Sequence, residues 1–149
     1  MLITKIVAPG VLVAAGLVAA SSALAGPGVL SANVDGTYRQ IPKQVTLILE
    51  PGRVIASNIR LSRIDPVALQ ASEVVEQTAE ANAVLVVATN QRMLGYGAVV
   101  GWREIARLPG ETLEAVTVED FAAFVVTGQR YLNFNADTGL WAAGERPAG

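Results

Sequence analysis

The chain has 149 residues, with 11 Lys+Arg against 13 Asp+Glu, no His and no Cys. A net charge of −2 with mixed signs excludes the basic face that nucleic acid or an anionic membrane surface requires. Without His or Cys, imidazole acid–base chemistry, thiol chemistry and disulfides are excluded, and stability must come from the core.

Residues 1–5 carry one positive charge, Lys5, and residues 6–20 are apolar. Ser21-Ser22-Ala23-Leu24-Ala25 then ends in the small-x-small pattern read by signal peptidase. This predicts a signal peptide over 1–25, a mature start at Gly26 and a periplasmic or secreted protein. The apolar stretch, broken by Pro9-Gly10, is shorter than the roughly 20 residues of a spanning helix. No membrane span is expected after cleavage, an uncleaved anchor being the alternative. Residues 26–149 are expected to form one domain.

That domain repeats itself. Val87-Ala88-Thr89-Asn90-Gln91-Arg92-Met93-Leu94-Gly95-Tyr96 aligns with Val125-Val126-Thr127-Gly128-Gln129-Arg130-Tyr131-Leu132-Asn133-Phe134. Leu47-Ile48-Leu49-Glu50-Pro51-Gly52-Arg53-Val54-Ile55 is a fainter first copy, and Arg53, Arg92 and Arg130 fall 39 and 38 residues apart. A fixed period of this size marks repeat architecture.

Each copy predicts a hairpin whose turn is Pro51-Gly52, Asn90-Gln91 or Gly128-Gln129. In the middle copy a strand over 102–108, a turn at Pro109-Gly110 and a strand over 112–119 follow. The expected units are about 45–83, 84–122 and 123–149, the last completed by residues 33–44. Residues 66–82 carry a helix-like pattern after Asp65-Pro66, but Glu73-x-x-Glu76 matches Glu111-x-x-Glu114, which favours strand. The fold expected is all-β, with three four-stranded, propeller-blade-like repeats of about 39 residues. Val84–Val87 and Phe124–Val126 do not alternate, which predicts strands buried on both faces. A closed β-trefoil-like barrel is the alternative.

Tyr131-Leu132-Asn133-Phe134-Asn135-Ala136-Asp137-Thr138-Gly139-Leu140-Trp141 resembles the hairpin of quinoprotein-type β-propeller blades, where an Asp-x-x-Thr-Gly turn leads to a Trp on the outer strand. The middle copy keeps Gly101-Trp102 without the Asp and Thr, so the likeness is one of shape and implies no quinone cofactor. Three blades are fewer than the roughly 4–8 of a usual ring. The expected assembly is therefore a homodimer making a six-unit ring, or an envelope protein as partner.

Catalytic residue types are sparse. Ser57 and Ser62 have no His to activate them, and Lys43 is the only lysine after the leader. The carboxylate pairs Glu73/Glu76, Glu111/Glu114 and Glu119/Asp120 admit a glycan hydrolase as the alternative function, since paired acids perform glycoside hydrolysis. Asn133-x-Asn135-x-Asp137-x-Gly139 spaces oxygen ligands as a Ca²⁺ loop does, but lacks its closing acid; a hairpin turn is expected there, with no metal. Arg53, Arg92, Arg130, Trp102 and Trp141 are the candidate ligand-binding residues, as a ring of guanidinium groups with stacking surfaces. The competing structural reading ties each Arg to an acid of the neighbouring unit, at Asp35, Glu73 and Glu111, and makes the Trp side chains packing anchors. The expected function is an exported, non-enzymatic binding or scaffold module with no cofactor.

Overall fold

The computed structural model describes residues 30–32, 38–40 and 42–147, with side-chain environments for 42–147. The expected leader over 1–25, the mature start at Gly26 and Asp35 lie outside the described residues. The chain is all-β, and its hairpins fall where the repeated turn residues place them. No helix among the described residues is long and apolar enough to cross a membrane.

Strands β1 (Leu30–Ala32) and β2 (Tyr38–Gln40) form a two-stranded ribbon. Sheet 1 contains β3 (Val45–Glu50), β4 (Arg53–Asn58) and β5 (Arg63–Ala68). Sheet 2 contains β6 (Val75–Glu80), β7 (Val84–Thr89), β8 (Arg92–Gly97) and β9 (Gly101–Ala106). Sheet 3 contains β10 (Leu113–Glu119), β11 (Ala122–Thr127), β12 (Arg130–Asn135) and β13 (Leu140–Glu145). All pairings are antiparallel. Residues 66–82 supply the end of β5 and all of β6, strand rather than helix.

The sheets are cut differently from the sequence units. Strand 113–119 pairs with β11 instead of closing the middle unit, and sheet 3 draws all four strands from residues 113–145. Of the segment 33–44 expected to complete it, the described strand β2 pairs with β1 instead. Among the described residues sheet 1 has three strands, not four. The cause lies in the connectors: Glu73 and Glu111 bond forward to Thr89 and Thr127 in the next hairpin, drawing the strand after each Glu onto that hairpin.

Repetition extends to the backbone. Ser62, Gly101 and Gly139 have φ of 51°, 77° and 73° at the same turn of successive sheets, and Ser72 and Gly110 have 61° and 74° in successive connectors. Glycine takes this left-handed conformation without a Cβ penalty; the two serines occupy it at a cost.

The sheets stack face to face in series. A sheet's forward face is the one turned toward the sheet that follows in sequence, its rear face the one turned toward the preceding sheet. The forward face of sheet 1 (Val45, Leu47, Ala56) meets the rear face of sheet 2 (Leu85, Tyr96, Trp102). The forward face of sheet 2 (Val84, Val86, Met93) meets the rear face of sheet 3 (Val125, Leu132, Phe134). Strands β7 and β8 are consequently buried at every residue, as the non-alternating Val84–Val87 run predicted. The same expectation fails for Phe124–Val126: β11 alternates, and Phe124 is 44% exposed because nothing in the described chain lies beyond sheet 3.

The inter-sheet clamps as the candidate functional site

Each of the two junctions is held at its rim by one buried carboxylate. At the first, Glu73 sits in the connector after β5 with its side chain inaccessible to solvent. It accepts hydrogen bonds from Thr89 Oγ1 (2.7 Å), Arg92 Nε (2.8 Å), Arg92 Nη2 (3.0 Å) and the Gln70 amide (2.6 Å). Arg92 Nη2 also donates to the carbonyl of Ala68 in sheet 1, and Nη1 to Glu104 on β9.

At the second junction, 38 residues on, Glu111 accepts from Thr127 Oγ1 (2.7 Å), Arg130 Nε (2.7 Å), Arg130 Nη2 (2.9 Å) and the Leu108 amide (2.8 Å). Arg130 Nη2 reaches back to the carbonyl of Ala106 in sheet 2. A planar guanidinium gripping a carboxylate through two parallel N–H donors is a strong, direction-specific contact. Buried paired charges are costly unless every remaining lone pair is satisfied, and the Thr hydroxyl and backbone amide do that here.

The electrostatics follow from this geometry. Burial pushes the Glu111 carboxyl up, but the bonds from Arg130, the Leu108 amide and Thr127 outweigh it and hold the group down at about 2. Glu73 is likewise lowered by Arg92, Gln70 and Thr89 against the opposing effect of burial. Arg92 is raised, chiefly by its bond to Glu73. These carboxylates are held ionised, whereas a glycosidase's general acid needs its proton at working pH.

The five candidate residues divide accordingly. Arg92 and Arg130 occupy equivalent places in different junctions. Arg53, at the same repeat position, is exposed and bridges Glu50 beside it; its expected partner Asp35 lies outside the described residues. Trp102 packs edge-on against Tyr96 (5.0 Å between ring centroids, 65°) and donates Nε1–H to the carbonyl of Asp65 in sheet 1. Trp141 packs on Phe134 (5.0 Å, 38°) and points Nε1 at the carbonyl of Arg103 in sheet 2. Each Trp thus spans a junction. The five side chains do not converge on one cavity: each Arg–Trp set belongs to its own sheet.

Of the other candidate acids, Asp120 accepts a hydrogen bond from Asn82 Nδ2 (3.1 Å), while Glu119 lies at the surface beside Thr117 and Phe124 without an ion pair among the described residues. Glu76 bridges Arg107, and Glu114 bridges Arg146. Lys43 pairs with Glu80. At the Ca²⁺-like spacing, Asn135 Oδ1 accepts the amides of Asp137 and Thr138 (both 2.9 Å), closing the hairpin turn. Among the described residues no group of three or more acids gathers as a metal site would.

Several partners escaped the sequence reading. Thr89 and Thr127 belong to a repeated Thr-x-Gln-Arg signature whose Gln also ties the connector, Gln91 to the carbonyl of Ala71 and Gln129 to that of Pro109. Arg107 and Arg146 each bond a Thr carbonyl of the signature. The 38-residue spacing of that signature and the 39-residue spacing of the two Arg were the available signals. No model of a known protein family matches the chain, and no curated protein matches it in sequence.

Proposed function

We propose that the chain is an exported, non-enzymatic binding and scaffold module of the cell envelope or extracellular space. The observation that carries this reading is the engagement of the repeat's acids: Glu73 and Glu111 are buried and clamped by Arg, and Glu76 and Glu114 are bridged. Glu73 and Glu111 hold sheets together, and Glu76 and Glu114 each tie the first strand of a sheet to the residue that follows its last. What the molecule offers its surroundings is the pair of end faces of a rigid stack, and repeat folds bind through such extended surfaces. Export is supported by the leader pattern, which also supports the absence of a membrane span after cleavage.

The test is photo-crosslinking in the producing cell, with the reactive residue at Phe124, Ile64 or Arg60. The expected result is a reproducible adduct with an envelope or extracellular component, or with a second copy of the chain. No adduct at any position, together with Glu111-dependent release of reducing sugar from a glycan panel, would overturn the reading in favour of a hydrolase.

A further inference from the structure

Among the described residues, the three stacked sheets make two junctions and leave two faces over: the forward face of sheet 3 and the rear face of sheet 1. Both carry exposed apolar side chains among polar ones. On sheet 3, Phe124 and Tyr131 are 44% and 40% exposed and stack on each other, 6.1 Å between centroids. On sheet 1, Ile48, buried Ile55 and Pro66 form one cross-strand row and Ile64 stands opposite Ser57 in the next; Ile48 and Ile64 are 41% and 61% exposed.

The repeat shows what such faces bind. Phe124 and Tyr131 stand where Val86 and Met93 stand on sheet 2, on the kind of face that always receives the rear face of another sheet. Ile48, Ile55 and Ile64 stand where Val87, Leu94 and Trp102 stand, on the kind of face that always docks onto a forward one.

The sizes are complementary. At the first junction the aromatics Tyr96 and Trp102 come from the rear face and meet aliphatic residues. On the open pair the aromatics Phe124 and Tyr131 are on the forward face, and the rear face offers isoleucines and, in place of Tyr96, Ser57. Large meets small in both. Part of the clamp recurs: Arg53 stands where Arg92 and Arg130 stand, with Glu50, which it bridges, in place of the Thr, and the register puts the carbonyl of Glu145 where Ala68 and Ala106 accept those Arg.

We infer that the occupant of both faces is a second copy of this chain, the forward face of sheet 3 in each copy stacking on the rear face of sheet 1 in the other. Two copies give six sheets, within the roughly 4–8 that close a ring, and closure leaves no apolar end exposed. This deepens the scaffold reading by naming a partner. Arg53 of one copy then binds the Glu145 carbonyl of the other, and Ser57 lies against Asn133.

Two measurements on the purified protein test this. Light scattering is expected to give twice the mass of one chain, and Phe124→Asp or Ile64→Asp, both at exposed positions, to give one chain mass with an unchanged circular dichroism spectrum. The chain has no cysteine, so Ser57→Cys with Asn133→Cys in one chain reports the contact directly. The corresponding internal pair is tight: a Cβ on Gly95 would lie 2.8 Å from Phe134 Cγ, which places two cysteines within disulfide reach. A covalent dimer under oxidation is expected, and none from Ser57→Cys with Val99→Cys.

A single chain mass across micromolar to millimolar concentrations would overturn the ring, as would a trimer, an open fibre, or a dimer that forms no 57–133 bond. A monomer that still captures an envelope partner would sink the ring and leave the scaffold reading standing. A dimer showing Glu111-dependent glycan hydrolysis would do the reverse.

Discussion

The two junctions of this stack share a rim and differ inside. Both rims carry the same Glu–Thr–Arg clamp with the same backbone contacts. Inside the first, a polar chain is buried: Asn58 donates to Tyr96 Oη and the carbonyl of Ala98 (both 2.8 Å), and Tyr96 donates on to Asp65. Inside the second, Phe134 replaces Tyr96 and lies directly on Gly95, with no hydroxyl to satisfy. The clamps differ too, because Arg92 has Glu104 as a second carboxylate while Ala143 stands at that position opposite Arg130. The clamp sets register and spacing between sheets, and the interior can then be filled by polar bonding or by close packing.

The largest effect that would break this comparison is removal of a clamp acid. Glu111→Ala leaves the Arg130 guanidinium without a carboxylate and is expected to cost about 3–5 kcal/mol in urea unfolding. Glu73→Ala should cost less, by about 1 kcal/mol, because Glu104 still answers Arg92. Equal losses would mean that Glu104 contributes nothing.

Acid should expose the same clamp. Glu111 is held at about 2, below its ordinary 4.5, so the folded state binds its proton less readily than the unfolded chain. The linked stability is present in full above about pH 4.5 and is lost as pH falls toward 2, a loss of roughly 3 kcal/mol. Unfolding free energy measured from pH 6 to pH 2 should show this slope, and Glu111→Gln should flatten it in that window.

The dry interior is tested at Gly95, where an added Cβ would meet the Phe134 ring at 2.8–2.9 Å. Gly95→Ala should cost about 1–3 kcal/mol by overpacking, and much less in a Phe134→Ala background. Sheet 1 has Ala56 at the equivalent position, and Ala56 packs in the same cluster as Tyr96, so the exclusion of a methyl belongs to the second junction alone. Additive losses in the double-mutant cycle would reject the contact.

The smallest effect is a gain. Ser62 has a φ of 51° where the other sheets have Gly101 and Gly139. Ser62→Gly should raise stability by about 0.5–1 kcal/mol, relieving the left-handed strain against the added chain entropy. A loss in thermal unfolding would show that the serine side chain is needed there.

The sequence by itself determined what is local and repeated: the hairpin turns at Pro51-Gly52, Asn90-Gln91 and Gly128-Gln129, the strands around them, and the pairing of Arg92 and Arg130 with Glu73 and Glu111 of equal period. These were legible because turn chemistry and periodic apolar runs act over a few residues. Tertiary structure decided the rest. Strand 113–119 could have closed the middle unit or opened the third, and the bonds that Thr127, Gln129 and Arg130 donate to the connector select the third. Likewise Val84–Val87 and Phe124–Val126 read alike as apolar runs, yet one is buried on both faces and the other on one. Burial is a property of what lies on the far side of a sheet, and a strand's own residues do not record whether another sheet stands there.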